Sequence, residues 1–213
     1  MNIGKFCAHR GVPVLEPENT IPSFAVALEL GADEIEFDVR IAEDGKLIVS
    51  HDSVWGPNCC TPEEIFEKFA NKIDFNIHVK RIGEDGFVVR ELANLIEKYN
   101  AYEHAYFAGS YNELECMIQA APQIRRVAIQ WIEDEESILE KAKRYQCWGV
   151  QLWRGMFDEE TIRELHKENI RCNYCFVDDE EGFKKYFDMG IDVLLTNRMD
   201  LAAKYKKEGE FQK

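Results

Sequence analysis

Hydrophobic positions along the chain fall into two alternating regimes. Short β-branched or aromatic runs are each followed by a longer run with the three-to-four-residue apolar spacing of an amphipathic helix. The short runs predict strands at Lys5–Ala8, Glu34–Val39 with a second piece at Lys46–Ser50, Phe75–Val79, His104–Ala108, Arg126–Gln130, Gly149–Leu152, Arg171–Phe176 and Asp192–Leu195. The intervals predict helices over Ile21–Leu30, Pro62–Asn71, Phe87–Tyr99, Asn112–Ala121, Asp134–Arg144, Asp158–Glu168, Asp179–Met189 and Met199–Lys207. Several starts carry capping signals. Thr61-Pro62-Glu63-Glu64 offers a capping hydroxyl, proline at the first helical position and acids in the first turn, and Asp158-Glu159-Glu160 repeats the theme. Gly31 and Gly190 stand just past helix ends, where a left-handed residue closes the last turn.

Roughly eight strand–helix units in series predict a parallel sheet with helices outside, and that number closes into a single (β/α)8 TIM barrel. An open doubly wound sheet is the competing architecture. Against it, no glycine-rich turn of the dinucleotide-binding kind follows the first strand. No linker or repeat divides the 213 residues, which read as one domain. With 26 Lys+Arg against 40 Asp+Glu the formal charge is −14, so extended contact with nucleic acid or an anionic membrane surface is disfavoured. No apolar run approaches the roughly 18 residues of a membrane span, and the start lacks a signal-peptide pattern, so the expectation is a cytoplasmic protein without integral membrane association. The seven cysteines are odd in number, as expected for reduced thiols. Cys172 and Cys175 lie three apart on a predicted strand and so point to opposite faces, which argues against a shared zinc. Oligomeric state leaves no signal in the sequence.

In a barrel of this kind, chemistry belongs at the C-terminal ends of the strands. The first strand ends in His9-Arg10-Gly11. On the second, alternation puts Glu36 and Asp38 on one face and Ile35 and Phe37 on the other. Two carboxylates side by side in a barrel interior repel and are costly to desolvate, unless a cation lies between them, and a divalent metal is the simplest one. In Asp74–Lys80 the same alternation directs Asn76, His78 and Lys80 to the axis. A second histidine, His51, follows the strand piece at Lys46–Ser50. Such a set suits a negatively charged small-molecule substrate whose reaction needs metal and acid–base help.

At these residues the sequence resembles the glycerophosphodiester phosphodiesterase family. The match is an ordered series: Ala8-His9-Arg10-Gly11, Pro17-Glu18-Asn19-Thr20, Gly31-Ala32-Asp33 with Ile35-Glu36-Phe37-Asp38-Val39, Asp44-Gly45, and His51-Asp52. Farther on, Asn76-Ile77-His78-Val79-Lys80, Gly190-Ile191-Asp192 and Leu195-Thr196-Asn197 are similar to its third-strand and closing-strand elements. The resemblance implies a (β/α)8 barrel that hydrolyses phosphodiesters such as glycerophosphocholine to glycerol 3-phosphate and an alcohol, with a divalent metal, magnesium or calcium. Carried over residue by residue, it implies His9 and His51 as the acid–base pair, Glu36 and Asp38 as metal ligands, and Arg10 and Lys80 on the phosphate. The family's usual route passes through a cyclic phosphate formed by the glycerol hydroxyl and opened by water.

Two departures stand out. Where the family commonly has a glutamate ligand, this chain has His78. As a third ligand, an imidazole brings manganese or zinc into consideration. The family's usual insertion after the His-Asp pair is absent, since about twenty residues separate Asp52 from Asp74. The alcohol pocket is therefore expected to be small or open, lined by candidates Trp55 and Cys60 and, near later strand ends, Trp131, Gln151, Trp153, Asn173 and Tyr174. A transfer that stops at the cyclic phosphate, and a phosphoester-binding barrel without turnover, remain alternative readings.

Overall fold

The computed structural model describes residues 4–52, 59–131 and 133–210. Strands are β1 (Lys5–His9), β2 (Glu34–Ile41), β3 (Leu47–Val49), β4 (Asp74–Val79), β5 (Ala105–Gly109), β6 (Arg125–Ile129), β7 (Gly149–Trp153), β8 (Arg171–Cys175) and β9 (Val193–Thr196). Helices are α1 (Ile21–Glu29), α2 (Pro62–Phe69), α3 (Phe87–Lys98), α4 (Tyr111–Ala120), α5 (Ile138–Arg144), α6 (Glu159–Lys167), α7 (Glu180–Asp188) and α8 (Met199–Glu210). Eight strands, β1, β2 and β4 to β9, run parallel in sequence order, and β1 pairs with both β2 and β9. That double pairing closes the barrel and excludes the open sheet.

The second piece predicted at Lys46–Ser50 is not a barrel strand. As β3 it folds back antiparallel on the end of β2, with Val39 opposite Val49, through a turn in which Asp44 Oδ1 accepts the Lys46 N–H at 3.1 Å. Ser50 N–H then donates to the Asp38 carbonyl (2.9 Å), which carries His51 back to the C-terminal rim. Helix starts follow the predicted caps at Thr61 and Asp158. α5 starts later than predicted, at Ile138 rather than Asp134. Ser137 and Glu140 form its capping box, while Asp134 instead takes the buried Lys141 ammonium at 2.7 Å and the Trp131 N–H at 2.9 Å. Among the described residues no helix is long and apolar enough to cross a membrane.

Between sheet and helices lies the main core, where Phe6, Phe24, Phe37, Phe66, Phe75, Phe107 and Phe183 are fully buried and many meet edge to face. Cys172 packs in this outer layer whereas Cys175 lies inside the barrel, as their spacing predicts. The interior is divided. One side is apolar, with Cys7, Cys175, Val193 and Leu195 in one cluster and Tyr106, Ala108, Val127 and Ile129 in another, and Trp153 packs against both. At the N-terminal end, the buried Glu34 carboxylate accepts from the Tyr106 hydroxyl (2.7 Å) and pairs with Arg171, and Asn173 donates to the same hydroxyl at 3.2 Å. This network plugs the bottom. The remaining polar side faces the C-terminal mouth.

Candidate active site

The site is assembled by register. Pairing sets His9 beside Glu36, Glu36 beside Asn76 and Asp38 beside His78, so three neighbouring strands place their inward polar residues at one level. Beyond β1 the chain makes a tight turn in which Arg10 (φ 55) and Gly11 (φ 89) are both left-handed. A Cβ on Gly11 would stand 2.2 Å from Ser23 Oγ, the oxygen that accepts the Val12 N–H at 2.7 Å, so only glycine fits. The turn aims the Arg10 N–H at Glu36 Oε2 (3.1 Å).

The motif Pro17-Glu18-Asn19-Thr20 proves to be the scaffold of the carboxylates. Glu18 Oε1 takes the Arg10 guanidinium at 3.0 Å, and Thr20 caps α1. Asn19, buried and left-handed, donates its amide to Asp38 Oδ2 at 3.1 Å. Arg10 Nε stands 3.2 Å from that same oxygen and Lys80 Nζ 3.0 Å from Oδ1. Both cations expected to hold a phosphate are thus engaged by Asp38 in this state.

His78 stands 3.0 Å through Nδ1 from Glu36 Oε1 and 3.9 Å from Asp38 Oδ1. Its Nε2 lies 3.2 Å from Gln151 Oε1, an oxygen that also accepts from Asn76 Nδ2 (3.5 Å). In a neutral ring an Nε2–H donor leaves the Nδ1 lone pair facing a carboxylate oxygen that is likewise an acceptor, a contact that a proton on Nδ1 or a cation between the two relieves. Glu36 Oε1 and Asp38 Oδ1 are buried and make no well-formed hydrogen bond. One atom from each of Glu36, Asp38 and His78 lies within 4.8 Å of the others. Such a knot of acceptors calls for a positive charge, and a mixed carboxylate–imidazole set fits a divalent metal. Burial by itself raises the Glu36 carboxyl. The charge and close approach of His78, aided by His9 and Lys80, outweigh it and hold the group well below the usual carboxylate range.

His9 Nε2 is 3.9 Å from Glu36 Oε2, and its Nδ1 lies 2.7 Å from Asn197 Oδ1. The Asn197 amide nitrogen is committed to Asp178 (2.9 Å), whose carboxylate also accepts the Asn197 N–H and the Thr196 hydroxyl. The His9 proton therefore sits on Nδ1, and Nε2 presents its lone pair to the site. His51 makes no hydrogen bond or ion pair to this cluster. Its Nδ1 is held by Asp52 (2.9 Å) and its carbonyl accepts from Arg40 (2.7 Å). The hydrogen bond and charge of His51, with Arg10 and Arg40 adding to them, lower the Asp52 carboxyl.

Of the pocket candidates, Gln151 joins the polar cluster and Trp153 sits at the rim, while Trp55 lies outside the described residues. Three others move away. Tyr174 points outward, its hydroxyl 3.1 Å from that of Tyr186; Asn173 belongs to the bottom network; and Cys60 is buried, its thiol directed at the Asn19 carbonyl. Asn19, Asn197 and Asp178 have no role in the sequence reading, although Asn19 and Asn197 fall within the motifs that carry the resemblance.

A single (β/α)8 barrel with a buried carboxylate–imidazole centre and two flanking cations at its C-terminal mouth defines the class. Residues 9–56 match the model of the glycerophosphoryl diester phosphodiesterase family. The chain is 26% identical to a glycerophosphodiester phosphodiesterase of Caldanaerobacter subterraneus subsp. tengcongensis, over 89% of this chain and 92% of that one. With a Bacillus subtilis glycerophosphodiester phosphodiesterase it shares 23% identity, over 94% and 85%. An Oleispira antarctica phosphodiesterase, solved in complex with the product sn-glycerol-3-phosphate, has the same fold, with a TM-score of 0.83 at 17% identity over 98% of this chain and 97% of that one. The family model and these relatives all name glycerophosphodiester phosphodiesterases, which are phosphoric diester hydrolases, and the chain is similar to the two relatives over most of its length.

Proposed function

We propose that this protein hydrolyses small glycerophosphodiesters to glycerol 3-phosphate and an alcohol, with a divalent cation held by Glu36, Asp38 and His78. The observation that carries the reading is the convergence of Glu36 Oε1, Asp38 Oδ1 and His78 Nδ1 beside His9, Arg10 and Lys80. When bound, the cation supplies Lewis-acid neutralisation of phosphoryl charge. Arg10 and Lys80, the two cations beside Asp38, would hold the non-bridging oxygens. His9 exchanges a proton through Nε2, its orientation fixed by Asn197 and Asp178. His51, oriented by Asp52, serves the opposite side of the phosphorus. One imidazole takes the proton of the attacking hydroxyl while the other gives one to the departing alkoxide, and the roles reverse when water opens the cyclic phosphate.

The test is release of glycerol 3-phosphate from glycerophosphocholine in the presence of magnesium, calcium, manganese or zinc. Activity is expected to vanish with chelator and to fall by about 10²–10⁴ in His9→Ala and in His51→Ala, the usual weight of a general acid or base. Undiminished turnover in either variant overturns its role. Phosphorus NMR separates complete hydrolysis from a reaction that ends at the cyclic phosphate.

A further inference from the structure

Among the described residues, donor atoms close enough to share a cation converge at two places. One is the Glu36–Asp38–His78 centre. The other lies at the opposite, N-terminal end of the strands, where a nitrogen of His166, the sulfur of Cys172 and a carboxylate oxygen of Asp192 all stand within 4.8 Å of one another. Three consecutive elements supply them. His166 is in the last turn of α6, Cys172 is the second residue of β8, and Asp192 immediately precedes β9. Spacing in the sequence pairs Cys172 with Cys175, which faces the other way; its neighbours in space come from six positions before it and twenty after it.

The cluster is braced by the backbone. Asp192 Oδ2 takes the Cys172 N–H at 2.8 Å, and the Asp192 N–H returns to the Cys172 carbonyl at 3.0 Å, so this reciprocal pair holds the carboxylate beside the cysteine. His166 Nε2 stands 2.9 Å from the same Oδ2. In a tetrahedron with bonds of about 2.0–2.3 Å the donors lie roughly 3.3–3.6 Å apart, so His166 and Asp192 need to part by only about half an ångström to admit an ion. Cys172 is fully buried, whereas His166 and Asp192 are partly exposed and line, with Trp148, Asn169, Phe187 and Gly190, an open cleft that serves as the entry path. The two cations on that cleft are already paired, Lys5 with Asp74 at 3.1 Å and Arg171 with Glu34, so little positive charge opposes an incoming ion. A partly exposed His–Asp pair contributes little on its own, and a buried cysteine ordinarily serves as a small hydrophobe, but neither role brings the other's donors to one point.

We propose that His166, Cys172 and Asp192 bind a zinc-class divalent ion, with water as the fourth ligand. Thiolate, imidazole and carboxylate together suit zinc, whereas magnesium and calcium prefer oxygen. On binding, the Cys172 thiol gives its proton to solvent, and no redox change is involved. The ion ties the end of α6 to the starts of β8 and β9, next to the β9–β1 pairing that closes the barrel. That end of a barrel carries stability and not chemistry, so the site is structural. It shares no residue with the mouth and does not rest on the hydrolase reading.

The experiment titrates the full chain with cobalt(II), a spectroscopic stand-in for zinc, in excess magnesium. The centre at the mouth contains no sulfur, so a thiolate-to-cobalt charge-transfer band in the near ultraviolet reports a cysteine ligand. Expected is a band that saturates at a single equivalent and is abolished by added zinc. Cys172→Ser should lose it. His166→Gln, at a partly exposed position, should fold normally by circular dichroism, keep its turnover of glycerophosphocholine with magnesium, and bind cobalt roughly a hundredfold or more weakly, beyond the usual 10–100-fold cost of losing an outer partner. If Cys172→Ser does not fold, the affinity of His166→Gln decides alone. No band in the intact protein, a band that survives Cys172→Ser, or an affinity unaltered in His166→Gln overturns the proposal.

Discussion

Asp38 is held by three groups at once, Asn19 and Arg10 on one oxygen and Lys80 on the other, which offsets the cost of burying its carboxyl group. Glu36 Oε1, by contrast, faces His78 Nδ1 at 3.0 Å, a contact that needs a proton or a cation between the two atoms. A divalent cation at this point is therefore expected to stabilise the fold as well as serve the reaction. At about a hundredfold excess over Kd, manganese should raise Tm by roughly 5–10 °C in a chain of this size. Glu36→Gln and His78→Phe should lose that shift; an equal shift in both variants places the ion elsewhere. A second residue matters through its neighbour. Asn197→Leu removes the acceptor that fixes the His9 proton on Nδ1, and kcat is expected to drop by about 10–100-fold with KM little changed, since substrate binding does not use it. Asn197→Asp keeps the acceptor and should recover part of the loss. A change confined to KM would show that Asn197 serves binding and not His9.

At the scale of the element, α2 occupies the place where relatives are expected to carry a longer segment, and its start is fully determined. The Thr61 hydroxyl accepts the Glu64 N–H at 3.3 Å, Glu64 accepts the Thr61 N–H at 2.8 Å, and Pro62 opens the helix. Thr61→Ala should cost about 1 kcal/mol in urea titration without altering kcat, and a loss below a few tenths would mean that packing of Ile65, Phe66 and Phe69 alone sets the helix start. The capping signal was legible because it is local. So were the strand faces: period-2 alternation puts Glu36, Asp38, Asn76 and His78 inside, and there they are. Tyr174 was misread against that same rule, since its neighbours Asn173 and Cys175 face inward. Asn173 was misplaced for another reason: alternation gives the face of a strand and not the depth along it, so it reached the bottom network instead of the mouth. Acids at Asp134 and Glu135 imitate a helix start, but the reciprocal bonds of Ser137 and Glu140 fix it four residues later, at Ile138, and the Lys141 ammonium claims Asp134. The bracing of Asp38 by Asn19 and of His9 by Asn197 had no local signature at all. Those bonds join residues 19 and 188 positions apart, and the second forms only because β9 pairs with β1.

For the molecule as a whole, the charge of −14 sets how an anionic substrate approaches. Near the site, Arg10 and Lys80 face Glu18, Glu36 and Asp38, and both cations lie within 3.2 Å of Asp38. Paired charges at that range cancel at a distance, so they add little long-range pull, and the field met by an incoming phosphodiester is set by the acidic surface. Capture then depends on short-range contact, where a bound divalent cation reverses the local sign. A substrate with net negative charge should accordingly gain from screening. Between about 20 and 200 mM salt, as the Debye length falls from roughly 20 Å to below 10 Å, kcat/KM for glycerophosphoglycerol is expected to rise about two- to fivefold relative to that for zwitterionic glycerophosphocholine. Using the ratio removes effects of salt on the chemical step, which the two substrates share. A ratio that falls with salt would mean that Arg10 and Lys80 attract the substrate beyond the range of their own ion pairs with Asp38.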